Sequence, residues 1–206
     1  MCSSDLVWAD TRTASPKAAT GHQLGEVAVA AAAHFGNTTA AANRSAQYVI
    51  LSAHGTNPDG FNTAKTTFCA WHDWNGDTTL NGGAIKSTVG DVAFTNMPYV
   101  SDAGPGCGQN FVNAGAAGTL DGLTMAAGHE YAETITDQNP SGGWIDKSGE
   151  ENADKCAYIT KGPGAMANVT FATGSFAMQT TWSNDANGCR MTHPIITTFA
   201  FPGAAH

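Results

Sequence analysis

The sequence predicts one α+β domain in a chain of 206 residues, and three observations support this prediction. Two segments carry apolar residues at helical spacing, several short runs have the composition and length of strands, and the part after about residue 156 is mostly strand-like. A chain of this length buries about 70% of its unfolded surface and therefore needs no metal or disulfide merely to fold. The sequence shows no repeat and no linker, which favours a single domain.

The first helix is predicted over residues 21–35. Thr20 and Gln23 have the spacing of a capping box, in which each residue satisfies the backbone N–H of the other. Apolar residues then recur at helical spacing at Leu24, Val27, Ala31 and Phe35. Gly36 follows at the position where a helix ends.

Strands are predicted at residues 47–51, 66–74 and 91–99, where apolar and β-branched residues cluster. The first of these strands has the sequence QYVIL and is followed by the turn signal NPDG at residues 57–60. A glycine-rich loop at residues 104–108 follows the third strand.

The second helix is predicted over residues 119–136, and Pro140 lies beyond its end as a stop signal. Its apolar residues fall mainly on one face and are Leu120, Leu123, Ala127, Tyr131 and Ile135. A loop is predicted over residues 142–153. Beyond it the pattern predicts β structure at residues 157–159, 168–171, 176–182 and 195–201.

The charge of the chain excludes two classes of partner. Nine lysines and arginines stand singly against 17 acidic residues, which gives a formal net charge of −8. Without a basic patch we expect no nucleic acid as a partner, and no anionic membrane surface either. No apolar run reaches the length that spans a bilayer. We expect a monomer.

The N-terminus and the cysteines indicate a secreted protein. Residues 1–6 look foreign to the fold, so we expect a non-native N-terminal scar, a missing signal peptide and a single domain over residues 7–206.

The four remaining cysteines form no Cys-x-x-Cys pair, which favours disulfides over a zinc knuckle. The sequence-local pairing is preferred and joins Cys69 to Cys107 and Cys156 to Cys189, each bond stabilising by about 3–4 kcal/mol.

The sequence HEYAE at residues 129–133 lies inside the second predicted helix. Residues four apart share a helix face, so His129 and Glu133 can bind one metal ion. Glu130 is displaced by about 100° around the helix, which suits a general base beside the metal. This arrangement follows the His-Glu-x-x-His helix of metallopeptidases, with a carboxylate replacing the second histidine. Gly128 leaves room for a strand to approach the helix.

A catalytic metal site needs a third protein ligand. The acidic segment at residues 150–156 lies about twenty residues downstream of the helix motif and supplies candidates. Asp154 is preferred, because Cys156 can pin this segment through a disulfide. The alternatives are Glu150, Glu151 and Asp146.

Four stretches carry a resemblance to a known group of proteins. They are AWH at 70–72, GHEYAETITDQNP at 128–140, GWIDKSGEENADKC at 143–156 and TTWSNDANGC at 180–189. On these stretches the chain resembles small secreted bacterial zincin-like metallopeptidases of the HExxE type, which are distantly similar to plant exordium (phosphate-induced) proteins. The resemblance implies a zincin-like fold, zinc bound by His129, Glu133 and Asp154, and Glu130 as catalytic base. It also marks His72, whose role it leaves open.

These observations predict a secreted zinc-dependent endopeptidase that acts on peptide or protein substrates. Glu130 would take a proton from water and deliver it to the leaving amine. His72 is the leading candidate for stabilising the oxyanion, followed by Tyr99 and His193. One histidine and two carboxylates leave a zinc site near neutral, so we expect an alkaline optimum or slow turnover, and manganese becomes a further candidate metal.

Two other interpretations come from outside this motif. Residues 73–81 alternate acids and amides like a calcium loop, but Thr78 replaces the required glycine and Ala84 the required glutamate, so we expect no calcium there. Tryptophans at positions 71, 74, 144 and 182 support the alternative of a non-catalytic carbohydrate- or cell-wall-binding protein with a structural metal. A zincin relative that binds zinc but cleaves nothing is the third possibility.

Overall fold

Helix α1, Gly21–His34, begins at the predicted capping box. In the computed structural model, which describes residues 6–65 and 67–192, the Thr20 hydroxyl accepts from the Gln23 backbone N–H at 3.2 Å. The Gln23 side chain accepts in return from the Thr20 backbone N–H at 3.0 Å. A short helix that the sequence did not predict, α2, covers Ala40–Asn43. The predictions for residues 1–5, for His193 and for residues 195–201 lie outside the described residues.

A three-stranded mixed sheet lies beneath α1. Its order is β1 (Gln47–Leu51), β3 (Ala93–Met97) and β2 (Trp71–Trp74), with β1 parallel and β2 antiparallel to β3. The first predicted strand is confirmed residue for residue, and the third is confirmed in its central part. The second is shorter than predicted, because the chain before Trp71 turns towards a disulfide at Cys69.

The apolar core has two parts. The first packs α1 against the sheet and comprises Ala19, Leu24, Ala28, Ala31, Ala32, Tyr48, Leu80, Ile85, Val92 and Phe94. The second lies beside the end of β3 and comprises Phe61, Ala70, Met97, Val100, Cys107 and Ala126. All five residues of β3 are buried, so this strand runs through the interior between the other two.

Helix α3, Asp121–Thr136, confirms the second predicted helix with a start two residues later. It packs against β2 and against the 3₁₀ segment Val100–Cys107. Gly122 makes this contact possible, since a Cβ at this position would collide with the carbonyl oxygen of Cys107.

The apolar face predicted for this helix is wrong, because Leu120, Tyr131 and Ile135 are 51%, 48% and 65% exposed. Glu130 and Glu133 on the same helix are only 4% and 3% exposed. The helix buries carboxylates in place of that face, and buried carboxylates indicate a functional site.

Two hairpins form the part of the chain that follows α3. The first pairs β4 (Ala167–Phe171) with β5 (Gly174–Met178), and the second pairs β6 (Thr181–Ser183) with β7 (Gly188–Arg190). The predicted strand at 168–171 is confirmed.

Two predictions of continuous β structure in this part are wrong. The strand predicted at 176–182 is interrupted, because the side chains of Gln179 and Thr180 donate to the backbone carbonyls of Ala153 and Gly164. The strand predicted at 157–159 is absent, since Tyr158 takes a left-handed φ of 53° directly after the 3₁₀ turn Asp154–Cys156.

Both predicted disulfides are present, Cys69–Cys107 and Cys156–Cys189. Together the elements make a small mixed α+β domain, as predicted. Two disulfides are consistent with a protein secreted into an oxidising compartment. Within the described residues, no helix has the length and apolarity required to cross a membrane.

Candidate metal centre

The three predicted metal ligands come together in the structure. His129 Nε2 lies 3.0 Å from Glu133 Oε1 one helical turn away, and 3.3 Å from Asp154 Oδ1 in the 3₁₀ turn after the helix. The three ligand atoms lie within 4.8 Å of one another. A residue pair from α3 and a distant loop residue therefore surround one point in space.

The second nitrogen of His129 is held by a residue that the sequence analysis missed. His129 Nδ1 lies 3.2 Å from Gln179 Oε1. The Gln179 amide nitrogen donates to the carbonyl of Ala153 at 3.0 Å, so its oxygen is the acceptor for the imidazole. The proton of neutral His129 therefore sits on Nδ1, and its Nε2 lone pair faces the carboxylates, as in metal-binding histidines. Gln179 falls inside the strand predicted at residues 176–182, and no feature of the sequence indicates this role.

The alternatives to Asp154 lie in different surroundings. Asp154 is held beside the helix motif, because its backbone N–H donates to Glu133 Oε1 at 3.0 Å. Asp146 instead pairs with Lys155 Nζ at 2.5 Å, and this ammonium with the neighbouring backbone amides holds the pKa of Asp146 at about 2. Glu150 is exposed. Glu151, the third alternative, lines the same cavity as Asp154.

His72 on β2 reaches the same place from the sheet. Its Nδ1 lies 3.5 Å from Glu130 Oε2 and 3.6 Å from Glu133 Oε2, and its side chain is 2% exposed. Its Nε2 lies 3.0 Å from the carbonyl oxygen of Asp137, which can only accept, so Nε2 carries a proton. The nitrogen that faces the two carboxylates is thus Nδ1. The sequence marked His72 but gave no indication of this orientation.

Burial and the neighbouring charged groups shift the pKa values of these side chains. Burial disfavours charge on both histidines, but contacts with the neighbouring carboxylates outweigh it and raise the pKa of His72 to about 10 and that of His129 to about 11. Burial raises the pKa of Glu130. For Glu133 the two histidines outweigh burial and lower its pKa to about 2. The site therefore stabilises positive charge at its centre.

A cavity of about 180 Å³ contains the site. It is lined by all five predicted site residues and by Glu151. Asp154 has a side chain that is 48% exposed, whereas the other four predicted residues are mostly or fully buried. The mouth of the cavity therefore lies on the Asp154 side.

Two contacts hold α3 against its neighbours. Gln47 on β1 donates to the hydroxyls of Thr95 on β3 at 2.6 Å and Thr134 on α3 at 2.7 Å. Gly128 lies so close to β5 that a Cβ there would come within 2.5 Å of the terminal carbon of Met178. This confirms the predicted approach of a strand at the glycine before His129.

Of the other residues singled out from the sequence, Tyr99 and Trp182 lie outside the cavity, whereas Trp71 lines it. Tyr99 is 43% exposed and packs edge-on against His54, away from the residues that line the cavity. Trp71 packs against Phe94, and Trp182 lies beneath the ammonium group of Lys155.

The calcium-like stretch at residues 73–81 forms a turn beside a second cavity of about 220 Å³. Asp77 closes this turn by accepting from the backbone and hydroxyl of Thr79. Burial, with a contribution from the neighbouring Asp77, raises the pKa of Asp73 to about 7. The acids of this stretch therefore serve the local turn.

Comparison of the chain with protein families, with curated proteins and with solved structures found no match. The resemblance to HExxE zincin-like metallopeptidases therefore stays a prediction that depends on the four sequence stretches. The structure itself supplies the α+β fold, the two disulfides and the convergence of the site residues.

Proposed function

We propose that the protein is a secreted zinc-dependent endopeptidase in which His129, Glu133 and Asp154 hold the metal and Glu130 acts as general base. The observation that carries this proposal is the orientation of His129. Its Nε2 faces one oxygen each of Glu133 and Asp154, while its Nδ1 is engaged by Gln179. A histidine held in this way has the geometry of a metal ligand.

The distances between the donor atoms fit a tetrahedral ion. Zinc bonds to nitrogen and oxygen of about 2.0–2.2 Å place neighbouring ligand atoms about 3.3–3.6 Å apart. The separations of 3.0 and 3.3 Å from His129 Nε2 lie close to this range. One histidine with two carboxylates is a harder donor set than two histidines with one carboxylate, so manganese can compete with zinc.

Zinc bound there would supply a Lewis acid for the scissile carbonyl and would lower the pKa of a water molecule. Glu130 supplies the proton transfer: it lies next to His129 in the chain, lines the same cavity, and has a pKa raised by burial. A carboxylate with a raised pKa accepts a proton from water more readily and can return it to the leaving amine. The two negative ligands support an alkaline optimum, because they reduce the charge on the zinc.

The role predicted for His72 changes with the geometry. Its Nδ1 faces Glu130 and Glu133, so its contribution to catalysis acts through those carboxylates and not through an oxyanion in the open cavity. The zincin-like fold belongs to the same proposal. It is supported by a mixed sheet whose antiparallel edge strand β2 lies beside the motif helix α3. Secretion is supported by the two disulfides.

The test is peptide-library cleavage by the wild type and by Glu130→Gln, with metal content measured on both. Loss of general-base catalysis lowers turnover by about 10²–10⁴-fold. The metal at His129 should remain bound, because Glu130 is not one of its ligands. Glu26→Gln, on the exposed side of α1, is the matched control and should cleave like the wild type. Equal cleavage by Glu130→Gln, or no cleavage by the metal-loaded wild type, would contradict the proposal.

A further inference from the structure

We propose that the centre binds a second divalent cation, held by His72, Glu130 and Glu133, and that Glu133 bridges the two ions. Glu130 would bind this ion through Oε2, the oxygen that faces His72, and keep its other oxygen for proton transfer. The inference rests on the proposed function, since Glu133 is also a ligand in the first site. The second set is spatially as tight as the first: one ligand atom from each residue lies within 4.8 Å of the other two. All three residues are buried.

The orientation of His72 is the first argument. Its Nε2–H is used by the Asp137 carbonyl at 3.0 Å, which leaves Nδ1 directed at the oxygens of Glu130 and Glu133. A lone pair that faces two carboxylates is repelled unless a cation lies between them. His129 repeats the arrangement, with Gln179 in the place of the Asp137 carbonyl. Each histidine therefore presents one free nitrogen to a pair of carboxylates.

In the metal-free protein a proton on His72 can occupy this position, but the distances fit a metal ion better. Good N–H···O hydrogen bonds have donor–acceptor distances of about 2.7–3.2 Å. The separations from His72 Nδ1 are 3.5 and 3.6 Å, which is long for a proton shared with either carboxylate. They agree with the spacing of about 3.3–3.6 Å between ligands of a tetrahedral ion.

Glu133 has the geometry of a bridging ligand. Its Oε1 lies 3.0 Å from His129 Nε2 and accepts from the Asp154 backbone at 3.0 Å. Its Oε2 lies 3.6 Å from His72 Nδ1. The two oxygens of one carboxylate thus face two different histidines. Paired metal ions in hydrolytic sites lie about 3.5–4 Å apart, a distance that one carboxylate spans.

The charge of the cavity favours two ions over one. Four carboxylates line it, from Glu130, Glu133, Glu151 and Asp154, and none of its described lining residues is lysine or arginine. One divalent ion would leave two negative charges in a largely buried space, of which a proton on His72 balances one, whereas two ions balance all four. Glu151 adds to this demand, because its Oε1 is buried without a hydrogen-bond partner and lies 3.5 Å from His72 Nε2.

The experiment is a metal count. The metal-free full-length protein is loaded with zinc chloride, passed through a desalting column and analysed by elemental mass spectrometry. We expect two equivalents in the wild type, one in His72→Ala and one in His129→Ala. His54→Ala, at an exposed histidine paired with Asp102, is the matched control and should keep two. Circular dichroism checks the fold of each variant, and His72→Gln replaces His72→Ala if the latter does not fold.

The outcomes separate the two proposals. One equivalent in the wild type that His72→Ala retains and His129→Ala loses would overturn the second site and leave the proposed function standing. One equivalent that both variants lose would also overturn it, because a single ion would then use both histidines. No metal in the wild type would remove the proposed function and this inference together.

The bridge has its own readout. Manganese(II) loaded to two equivalents should give an electron paramagnetic resonance spectrum with exchange coupling between the ions, and to a single equivalent an uncoupled six-line spectrum. Glu133→Gln, which removes the shared ligand, should lose both ions. Two uncoupled ions in the wild type would overturn the bridging role of Glu133.

Discussion

The two regions that supply the metal ligands are stabilised in different ways. Up to the end of α3, the site residues lie on elements that pack against the two apolar clusters, in which Phe94 and Met97 are fully buried. Beyond residue 140, the buried apolar side chains in the described part of the chain are only Ala153, Cys156 and Ala177. The first region is stabilised by packing, and the second by a disulfide and by hydrogen bonds from buried polar groups.

This difference predicts an unequal dependence on metal. His72, Glu130 and Glu133 are positioned by the core whether or not an ion is bound. Asp154 and Gln179 belong to the region with little core, so binding of the ion contributes a larger share of its stability. Substitutions in the first region should therefore change mainly the global stability, whereas substitutions in the second region should also change the metal affinity.

The largest expected effect is that of pH on the metal-free protein. Contacts with carboxylates raise the pKa values of His72 and His129 from 6.5 to about 10 and about 11, so the folded state retains two protons that the unfolded state releases. The stability they contribute is complete below pH 6.5 and is lost as the pH rises towards these folded-state values. The Tm measured in EDTA should fall steadily from pH 7 to pH 9.5.

With zinc bound, the ion takes the place of these protons and the fall should largely disappear. Hydrogen exchange should show residues 140–192 opening first in EDTA at high pH. His54→Gln, outside the site, should keep the slope of the wild type. A Tm that does not change with pH in the metal-free protein would contradict the raised pKa values of the two histidines.

The next effect is on the core of the first region. Phe94 is fully buried between α1 and Trp71, and its truncation to alanine should lower the free energy of unfolding by about 3–5 kcal/mol. Urea unfolding measures the loss, while the zinc affinity of the folded fraction should stay unchanged. Leu51→Ala, on a side chain that is 72% exposed in the same sheet, should cost little. A large fall in zinc affinity for Phe94→Ala would mean that the regions are not separable.

The disulfide of the second region comes third. Cys156–Cys189 closes a loop with a sequence separation of 33, worth roughly 3–4 kcal/mol in the chain-entropy model. Replacing both cysteines with serine should lower zinc affinity as well as stability, because Asp154 lies two residues from Cys156. Isothermal titration with zinc measures the affinity. The same replacement at Cys69 and Cys107 should reduce stability with a smaller effect on affinity.

The smallest effect is that of the Gln179 side chain, whose oxygen faces His129 and whose amide nitrogen donates to the carbonyl of Ala153. Gln179→Leu removes the acceptor for His129 Nδ1 and should weaken zinc binding by about 10–100-fold, the usual cost of losing a partner behind a metal-bound histidine. Thermal unfolding of the metal-free variant gives the stability for comparison. Gln109→Leu, at a half-buried glutamine outside the cavity lining, is the control. An unchanged zinc affinity in Gln179→Leu would remove this role.

The sequence predicted the first region better than the second for the same physical reason. Helix α1 shows its periodicity because it buries an apolar face. Helix α3 is a helix as predicted, but its predicted apolar face is exposed at Tyr131 and Ile135, and it buries Met125 and Ala126 instead.

In the second region the stabilising interactions join polar groups that are distant in sequence. Such contacts produce no periodic pattern of apolar residues from which they could be predicted. The left-handed Tyr158 and the break at Gln179 were accordingly predicted as strand.

The site residues on helix α3 were likewise easier to predict from the sequence than the geometry that depends on distant contacts. The spacing of His129, Glu130 and Glu133 was visible because a helix converts sequence spacing into geometry. Asp154 was one of four candidates until the fold placed it beside His129. The orientation of His72 depends on the carbonyl of Asp137, 65 residues away in the chain, and the sequence contains no signal of that contact.

Gly122 has a consequence for how sequences of this kind can diverge. Any side chain at this position would meet the rigid carbonyl of Cys107, whereas a methyl group at Gly128 would meet only the mobile end of Met178. Substitution of glycine by alanine should therefore be tolerated at position 128 but not at position 122. A glycine seven residues before the histidine of an HExxE segment is thus a more discriminating signature for finding distant homologues than the glycine that directly precedes it.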